Sequence, residues 1–384
     1  MERFMKKKVI CAGHICLDIT PKFKSETLND FSHIFVPGHL TEVGGAAIHT
    51  GGSVANTGLA MKLFLEDKAD VVLKGIVGDD DLGRLVLNIL NNHGASEGMI
   101  IDKEASSSYT IALALPGYDR IFFHNPGPND TFDSSFISKE ELKNASLFHF
   151  GYPTLMKKMY ENDGAETIKL FKKVKAAGCI TSLDLTVVDT NSEAAKSDWE
   201  YILRSVLPFV DIFTPSAEEV CYMLEPKLLK EWKNKAKGQD VTAVFDIENE
   251  IKPLAQKCLD LGAKIVLLKC GKPGIYCVAA DKNKLADISD KLGISGNSWS
   301  NFSAFEQSYT PRQLLSGTGA GDTSIAAFLS AIITGRGPDN CLRLACAAGC
   351  SCLEGYDSLS GLRPFNQLEK RIADGWRKSG KDDL

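Results

Sequence analysis

The 384-residue sequence has no CxxC pair, no low-complexity tract, no internal repeat and no apolar run long enough to cross a bilayer. Nor does one sign of charge dominate. Its 44 Lys and Arg stand against 49 Asp and Glu, a net charge of −5, and no long basic tract occurs. Nucleic acid and anionic membrane surfaces are therefore poor partners on electrostatic grounds. The eleven cysteines are an odd number scattered through apolar segments. Cys346 and Cys350 lie four apart on a predicted helix with no histidine nearby, so they read as buried small side chains rather than soft-metal ligands. Reduced thiols point to the cytoplasm. The start, "MERFMKKKVICAGHICLDIT", is basic, but His14 and Asp18 interrupt its apolar run, and a first strand is expected there rather than a signal peptide.

What is present is a chain 44% hydrophobic and 24% charged, enough to bury a sizeable core. Short apolar runs ("KKKVICAGHI", "DVVLKGIVG", "ASLFHFG", "CITSLDL", "VDIFTP", "AKIVLLKCG") alternate with helical patterns. One such pattern places Leu82, Leu85, Val86, Ile89 and Leu90 on a helix face and ends in Asn-His-Gly. Strand–helix alternation over this length predicts an α/β fold, a mostly parallel sheet with helices on both faces. Two segments, about 15–50 and 105–125, instead alternate polar and apolar residues like exposed antiparallel strands. Together they are expected to form a small sheet lying as a lid over one edge of a single domain spanning 1–384. The charged stretch 225–248 reads as a surface insertion.

The stretch "SGTGAGDTSIAAFLSAIITG", Ser316 to Gly335, sets a carboxylate directly behind a glycine-rich turn. Gly317, Gly319 and Gly321 free the backbone, and a helix is expected from Asp322 or just before it. Successive amides at such a turn, with a helix N-terminus, make an anion-binding concavity. A Walker A loop would need Lys then Ser/Thr after the last glycine, and a dinucleotide fingerprint would need a third glycine where Asp322 stands. Asp322 is either a helix cap or a general base that takes a proton from a hydroxyl attacking phosphorus. Near the other end of the chain, "GGAAIHTGGSVANTGLA" offers Gly51 and Gly52 for close backbone approach. It also offers Asn56, a donor and acceptor at once, on the following helix. Such a mixture suits a polyhydroxyl ligand or, equally, a tight turn packed under a helix. Asp18, shortly after the first strand, can accept two hydroxyl hydrogen bonds.

The pair "GGSVANTG" and "GTGAGDTSIAAF", with "GDDDLG", "TPSAEE" and "KCGKPG" in order between them, resembles the PfkB, or ribokinase-like, family of carbohydrate kinases over nearly the whole chain. The resemblance implies a three-layer α/β/α sandwich with a β-sheet lid, using ATP and Mg2+. It implies Asp322 as catalytic base and the backbone of Gly319, Ala320 and Gly321 as anion hole. Asp18, Gly51, Gly52 and Asn56 would hold the sugar. Ser216, Lys269, Gly271, Gly274 and Thr318 would border ATP, and Glu219 would organise Mg2+ through water.

Three departures bear on this. Ser216 replaces the Asn of the family's Asn-x-x-Glu, altering the water-mediated Mg2+ arrangement. Ser316-Gly317 replaces Asp-Thr, which puts dependence on a monovalent cation in doubt. Gly151 stands where ribokinases carry a substrate-contacting Glu, which argues against ribose. In "GYDRIFFHNPGPND", His124 is a candidate substrate contact or a structural polar group, and Phe122 and Phe123 read as a packed strand. Lys22, Lys24 and Arg120 do not converge in the lid, so an unphosphorylated sugar is favoured over a sugar phosphate. The expected activity is ATP-dependent phosphorylation of a hydroxymethyl group on a ketose, pentose or sugar acid. Its alternatives are a nucleoside kinase of the same family, using Phe31, Phe35 and Tyr109, and a silent sugar- or nucleotide-binding regulator. The exposed lid edges suggest a homodimer paired through the lids.

Overall fold

Alternate residues of the first apolar strand part to opposite sides. In the computed structural model, which describes residues 6–23, 36–113, 115 and 121–379, Val9 and Cys11 enter one hydrophobic core while Ile10 and Ala12 enter another. The same division separates Leu147 from Phe148, Ile265 from Val266 and Leu267 from Leu268. A strand buried on both faces needs a near-continuous apolar run, which these segments supply.

Eight strands form the central sheet among the described residues. Their order is Ser303–Gln307, Gly274–Ala279, Ile265–Lys269, Ile212–Phe213, Ile180–Asp184, Ala145–Gly151, Lys7–Gly13 and Ala69–Lys74. From Ile265–Lys269 to Ala69–Lys74 every pairing is parallel, and the two strands at the other edge join antiparallel. Helices Gly52–Leu65, Ala320–Ile333, Pro338–Cys352 and Phe365–Ala373 cover one face. Helices Lys157–Ala176, Trp199–Val206, Ala217–Leu224 and Lys252–Asp260 cover the other. This is the three-layer α/β/α arrangement with a mostly parallel sheet that the alternation of segments predicts. None of the described helices is long and apolar enough to cross a membrane.

A second, four-stranded sheet draws on both polar–apolar segments, in the order Ala46–Gly51, Cys16–Pro21, Tyr109–Leu113, Ile121–Asn125. Its middle pairing, Leu17–Ile19 with Tyr109–Ile111, is parallel rather than antiparallel, because both strands set out from the body of the molecule. Phe122 and Phe123 are 54% and 51% exposed. The expected packed strand is therefore an edge strand, open on both of the faces to which successive side chains point. The run 70–78, read as one strand, divides at Gly75. Ala69–Lys74 stays in the central sheet and Ile76–Gly78 pairs with Ile100–Asp102. Within 225–248, helix Pro226–Ala236 buries Leu229, Trp232 and Ala236 and turns its lysines outward. All eleven cysteines are free and buried. The thiols of Cys346 and Cys350 donate to the carbonyls of Glu306 and Tyr309, and burial pushes Cys350 up to about 12.

The parallel strands end together at one edge, at Gly13, Gly151, Asp184, Phe213 and Lys269. In open α/β sheets this carboxyl edge is where ligands bind. His149, one turn of the pleat before Gly151, ties a covering helix to this edge. Its ring lies between Ser53 Oγ at 3.3 Å and Ser182 Oγ at 3.0 Å. Burial, with Lys269 nearby, holds the imidazole down to about 3, far below the ordinary value of about 6.5. Below pH ~6.5 the unfolded chain takes up a proton that the folded chain refuses, so stability falls as pH drops toward 3. We expect urea unfolding to show a loss approaching ~1.4 kcal/mol per pH unit from this group between pH 6 and 4. His149→Gln should flatten that slope. An unchanged slope in the variant would remove His149 as its source.

Candidate active site

The Ala320–Ile333 helix opens after Gly319, whose φ of 77° lies in the left-handed region and whose Cβ, if present, would fall 2.4 Å from Ser358 Cβ. Only glycine meets both conditions. Asp322 is the third residue of this helix and is 4% exposed. It does not cap the helix, which has no side-chain cap. Instead its Oδ2 accepts Asn56 Nδ2 at 2.9 Å, while its Oδ1 accepts the Tyr152 hydroxyl at 2.7 Å and Thr57 Oγ1 at 3.4 Å. Asn56 is fixed from behind, its Oδ1 accepting Ser358 Oγ at 2.8 Å. The first-turn amides of Ala320 and Gly321 have no intrahelical acceptor and add to the positive end of the helix dipole.

Asn56 belongs to the Gly52–Leu65 helix, which begins at Gly52 with φ 83°. A Cβ on Gly52 would meet the His14 carbonyl at 2.5 Å, and one on Gly51 would meet Asp18 Oδ2 at 2.2 Å. The two glycines thus let the chain pass between His14 and Asp18. Asp18 Oδ1 accepts Cys16 Sγ at 3.3 Å, and burial raises its carboxyl against hydrogen bonds from Cys16 and Thr110 that lower it. His124 reaches the same place. Its Nδ1 is 3.0 Å from Thr110 Oγ1 and its Nε2 is 3.3 Å from His14 Nε2. Burial pulls both imidazoles down, His14 well below its ordinary value with His124 adding to the effect. Both rings are neutral at pH 7. Lys22 lies over the Tyr356 ring, 5.4 Å from its centroid. Lys24, Phe31, Phe35 and Arg120 fall outside the described residues.

On the other side of Asp322 lies a set of buried charges. Lys269 Nζ is 2.7 Å from Asp184 Oδ1, with side chains 14% and 1% exposed. A Cβ on Gly321 would lie 3.8 Å from the same Nζ, so the ammonium sits beside the first turn of the Ala320 helix. Burial pulls the Lys269 ammonium down, and Asp184 and Glu219 more than restore it. Burial pushes Asp184 up while Lys269 draws it back. Both groups are raised, which for Asp184 alone would favour the neutral acid. We take the pair as charged, since a neutral Asp184 could not hold a buried ammonium above its ordinary value. Asp184 Oδ2 is buried and accepts no hydrogen bond. Ser216 and Glu219 form a capping box on the Ala217 helix. Ser216 Oγ accepts Glu219 N at 3.2 Å and Glu219 Oε2 accepts Ser216 N at 2.7 Å. Gly271 and Gly274 occupy the turn after Lys269, where Gly274 N donates to Gly271 O at 3.2 Å. Thr318 N donates to Ser316 Oγ at 3.2 Å.

The structure therefore brings Asp18, Gly51, Gly52, Asn56 and His124 to one side of Asp322, and Lys269, Ser216 and Glu219 to the other. Four further participants were not anticipated: His14, Thr57, Tyr152 and Asp184. Asp184 left a trace in the sequence, a carboxylate between Leu183 and Leu185 at the end of a predicted strand. Tyr152, directly after Gly151, was not singled out by any motif.

Comparison with known proteins agrees in outline. The pfkB family carbohydrate kinase profile matches residues 6–360. A sugar kinase of Archaeoglobus fulgidus, described as uncharacterized, is 21% identical over 292 residues, covering 75% of this chain and 93% of that one. The chain spans about half the length of two Arabidopsis thaliana proteins, described as probable fructokinases, that it also matches. The solved ribokinase of Arabidopsis thaliana, complexed with ribose and ATP, superposes with a TM-score of 0.67 at 19% identity. That match covers 95% of this chain and 98% of the other. An E. coli chain of ribokinase II type, in complex with ATP and Mg2+, gives 0.67 at 19% identity, covering 96% and 99%. At these identities the likeness establishes the fold.

The Lys269–Asp184 pair yields a stability prediction. Lys269→Met should cost about 3–5 kcal/mol in urea unfolding, because it strands a buried carboxylate. Adding Asp184→Leu should recover most of that loss. A single-variant cost below ~1 kcal/mol would show that the pair is not buried and charged as described.

Proposed function

Because the chain belongs to the pfkB family of carbohydrate kinases, phosphotransferases with an alcohol group as acceptor, we propose that it transfers the γ-phosphoryl group of ATP to a hydroxymethyl group of an unphosphorylated monosaccharide. The observation that carries this reading is the buried Asp322 carboxylate, held by neutral donors on the first turn of a helix whose amides are open to an anion. A carboxylate so placed is costly beside a phosphate unless it takes part in the chemistry.

On this reading the acceptor hydroxyl attacks the γ-phosphorus. Its O–P bond forms as the bond to the bridging oxygen of ADP breaks, and its proton passes to Asp322. The amides of Gly319, Ala320 and Gly321, with the Lys269 ammonium beside them, stabilise charge on the transferring group. Asp18, Asn56, the Gly51–Gly52 backbone and His124 hold the sugar. Around Asp18 the neutral His14 and His124, with Thr110 and Cys16, offer no cation, and His49, opposite Asp18 in the small sheet, lies 3.6 Å from Asp357. The lack of a basic cluster among these groups supports an unphosphorylated acceptor. Thr318, Ser216 and the Gly271–Gly274 turn border the nucleotide. The four-stranded sheet closes over the acceptor and keeps water out.

The residues also fit a divalent cation. Asp184 offers a buried carboxylate oxygen that accepts nothing, and Glu219 stands close enough to raise Lys269. Among the described residues no group of three His, Cys, Asp or Glu could hold a metal alone, which suits a cation bound chiefly by phosphates. Asp184, with Glu219 through water, would hold Mg2+, which when bound offsets phosphate charge. ATP accompanies both solved neighbours described above, and Mg2+ one of them.

The deciding experiment is ATP consumption with Mg2+ across pentoses, ketoses, hexoses, sugar acids and nucleosides, for wild type and Asp322→Asn. We expect turnover with an unphosphorylated sugar, reduced by about 10²–10⁴-fold or more in the variant. Equal turnover in both would overturn the assignment of Asp322. Turnover confined to nucleosides would redirect the substrate class.

We further propose that two copies pair through their small sheets, which expose Ile48, Phe122 and Phe123. Light scattering on a size-exclusion column should give a dimer mass at micromolar concentration. Phe122→Ser with Phe123→Ser should shift it to monomer, and a monomeric wild type would overturn the pairing.

A further inference from the structure

Tyr152 combines two features that the reaction outlined above does not require. Its backbone sits at φ 69° and ψ 46°, a region that bulky side chains seldom enter. Its ring is carried into the site between the ends of two strands. Tyr152 N donates to the Asp184 carbonyl at 3.3 Å, and the hydroxyl reaches Asp322 Oδ1 at 2.7 Å.

A carboxylate oxygen has two lone-pair positions. On Oδ1 they are taken by Tyr152 at 2.7 Å and by Thr57 at the longer 3.4 Å, while Oδ2 holds Asn56. A general base must accept a hydrogen bond from the hydroxyl that it deprotonates. The closest O–H donor now on Asp322 is the phenol of Tyr152. Oδ2, held by an amide, keeps one position open, whereas on Oδ1 an acceptor hydroxyl would replace the phenol like for like.

His14 supplies a second place for the phenol. Its ring centroid lies 6.0 Å from that of Tyr152, and its Nδ1 is buried with no hydrogen-bond partner. In the tautomer that carries hydrogen on Nε2 and donates it to His124, Nδ1 is an open acceptor. The phenol thus has an occupied position on Asp322 and an unfilled acceptor nearby.

We propose that Tyr152 is a positioning residue that occupies the acceptor hydroxyl's place on Asp322 until the acceptor displaces it, and so denies that place to water. The proposal rests on the reading of Asp322 as the base. Without the phenol, water takes the position. Its oxygen bonds to the γ-phosphorus, the bond to the bridging oxygen of ADP breaks, its proton goes to Asp322, and ADP and phosphate leave.

The test measures ATP hydrolysis with Mg2+ and no acceptor. Tyr152→Phe should hydrolyse ATP at least about tenfold faster than wild type, the factor that one hydrogen bond to a charged group is worth. Adding Asp322→Asn should abolish that gain. Tyr152→Asn tolerates the left-handed backbone and is too short to reach Asp322. It should show the same gain, and it keeps the test open if the Phe variant does not fold. With the acceptor found in the substrate panel, KM should fall in Tyr152→Phe while kcat stays within about twofold. In nucleotide-free protein the 13Cζ resonance of Tyr152 should move on Asp322→Ala, and a fixed resonance would overturn the contact itself. Hydrolysis at the wild-type rate in both tyrosine variants overturns the proposal, as does a fall in kcat without such a gain. A gain that survives Asp322→Asn also overturns it. If Asp322→Asn alone still phosphorylates the acceptor, the base assignment has failed, and that failure is separable from the others.

Discussion

A helix N-terminus attracts anions, and in this protein one of the anions it attracts is its own side chain. Asp322 stands three residues into the Ala320 helix, where an unheld carboxylate would fold back on the free amides and fill the position meant for a ligand. What prevents this is lateral restraint. Asn56 and Thr57 hold both oxygens from the Gly52 helix, and until an acceptor arrives Tyr152 adds a third donor from the end of a central strand. Those contacts require that two helices and a strand end meet at the carboxyl edge of the sheet. Much else follows from that requirement. Gly52 must let the chain pass His14, Gly319 must let the second helix start against Ser358, and His149 must lock the first helix to the sheet.

The charges behind this arrangement form an alternating series: Asp322, Lys269, Asp184, with Glu219 near the lysine. None could be buried alone without a large desolvation cost. Together they leave one carboxylate oxygen of Asp184 without a partner, with the first turn of the Ala320 helix beside the lysine. Among the buried side-chain atoms of the described residues that have no partner, Asp184 Oδ2 is the one carboxylate oxygen, and such an oxygen suits a site completed by what binds there.

Much of the fold was legible in sequence because it follows from local periodicity. Val9 to Ala12 and Ile265 to Leu268 are apolar without a break because both of their faces are covered. The Asp322 loop was legible because a carboxylate amid glycines contradicts its surroundings. Contacts that join distant segments were not. Asn56 and Asp322 are 266 positions apart, and no spacing rule links them. Lys269 gave no sign that its ammonium would be spent on Asp184, and Ser216 read as an ATP-bordering substitute for Asn in the water-mediated Mg2+ arrangement before its capping box with Glu219 appeared. Phe122 and Phe123 were misread because two adjacent aromatics signal burial in an interior strand, and this one lies at an edge.

The chain of contacts from Ser358 through Asn56 to Asp322 has a direction: hydroxyl to amide oxygen, amide nitrogen to carboxylate. An amide serves there because it is both acceptor and donor, and its isostere with two oxygens cannot. Deamidation of Asn56 would leave shape and volume almost untouched while setting a second negative charge against the first. Ageing of the protein at this one atom would thus read out as lost activity in a molecule whose fold and mass had hardly changed. The β-branched Thr57 that follows and the helical backbone around it both slow that chemistry, so the geometry that orients the base also guards its partner against time.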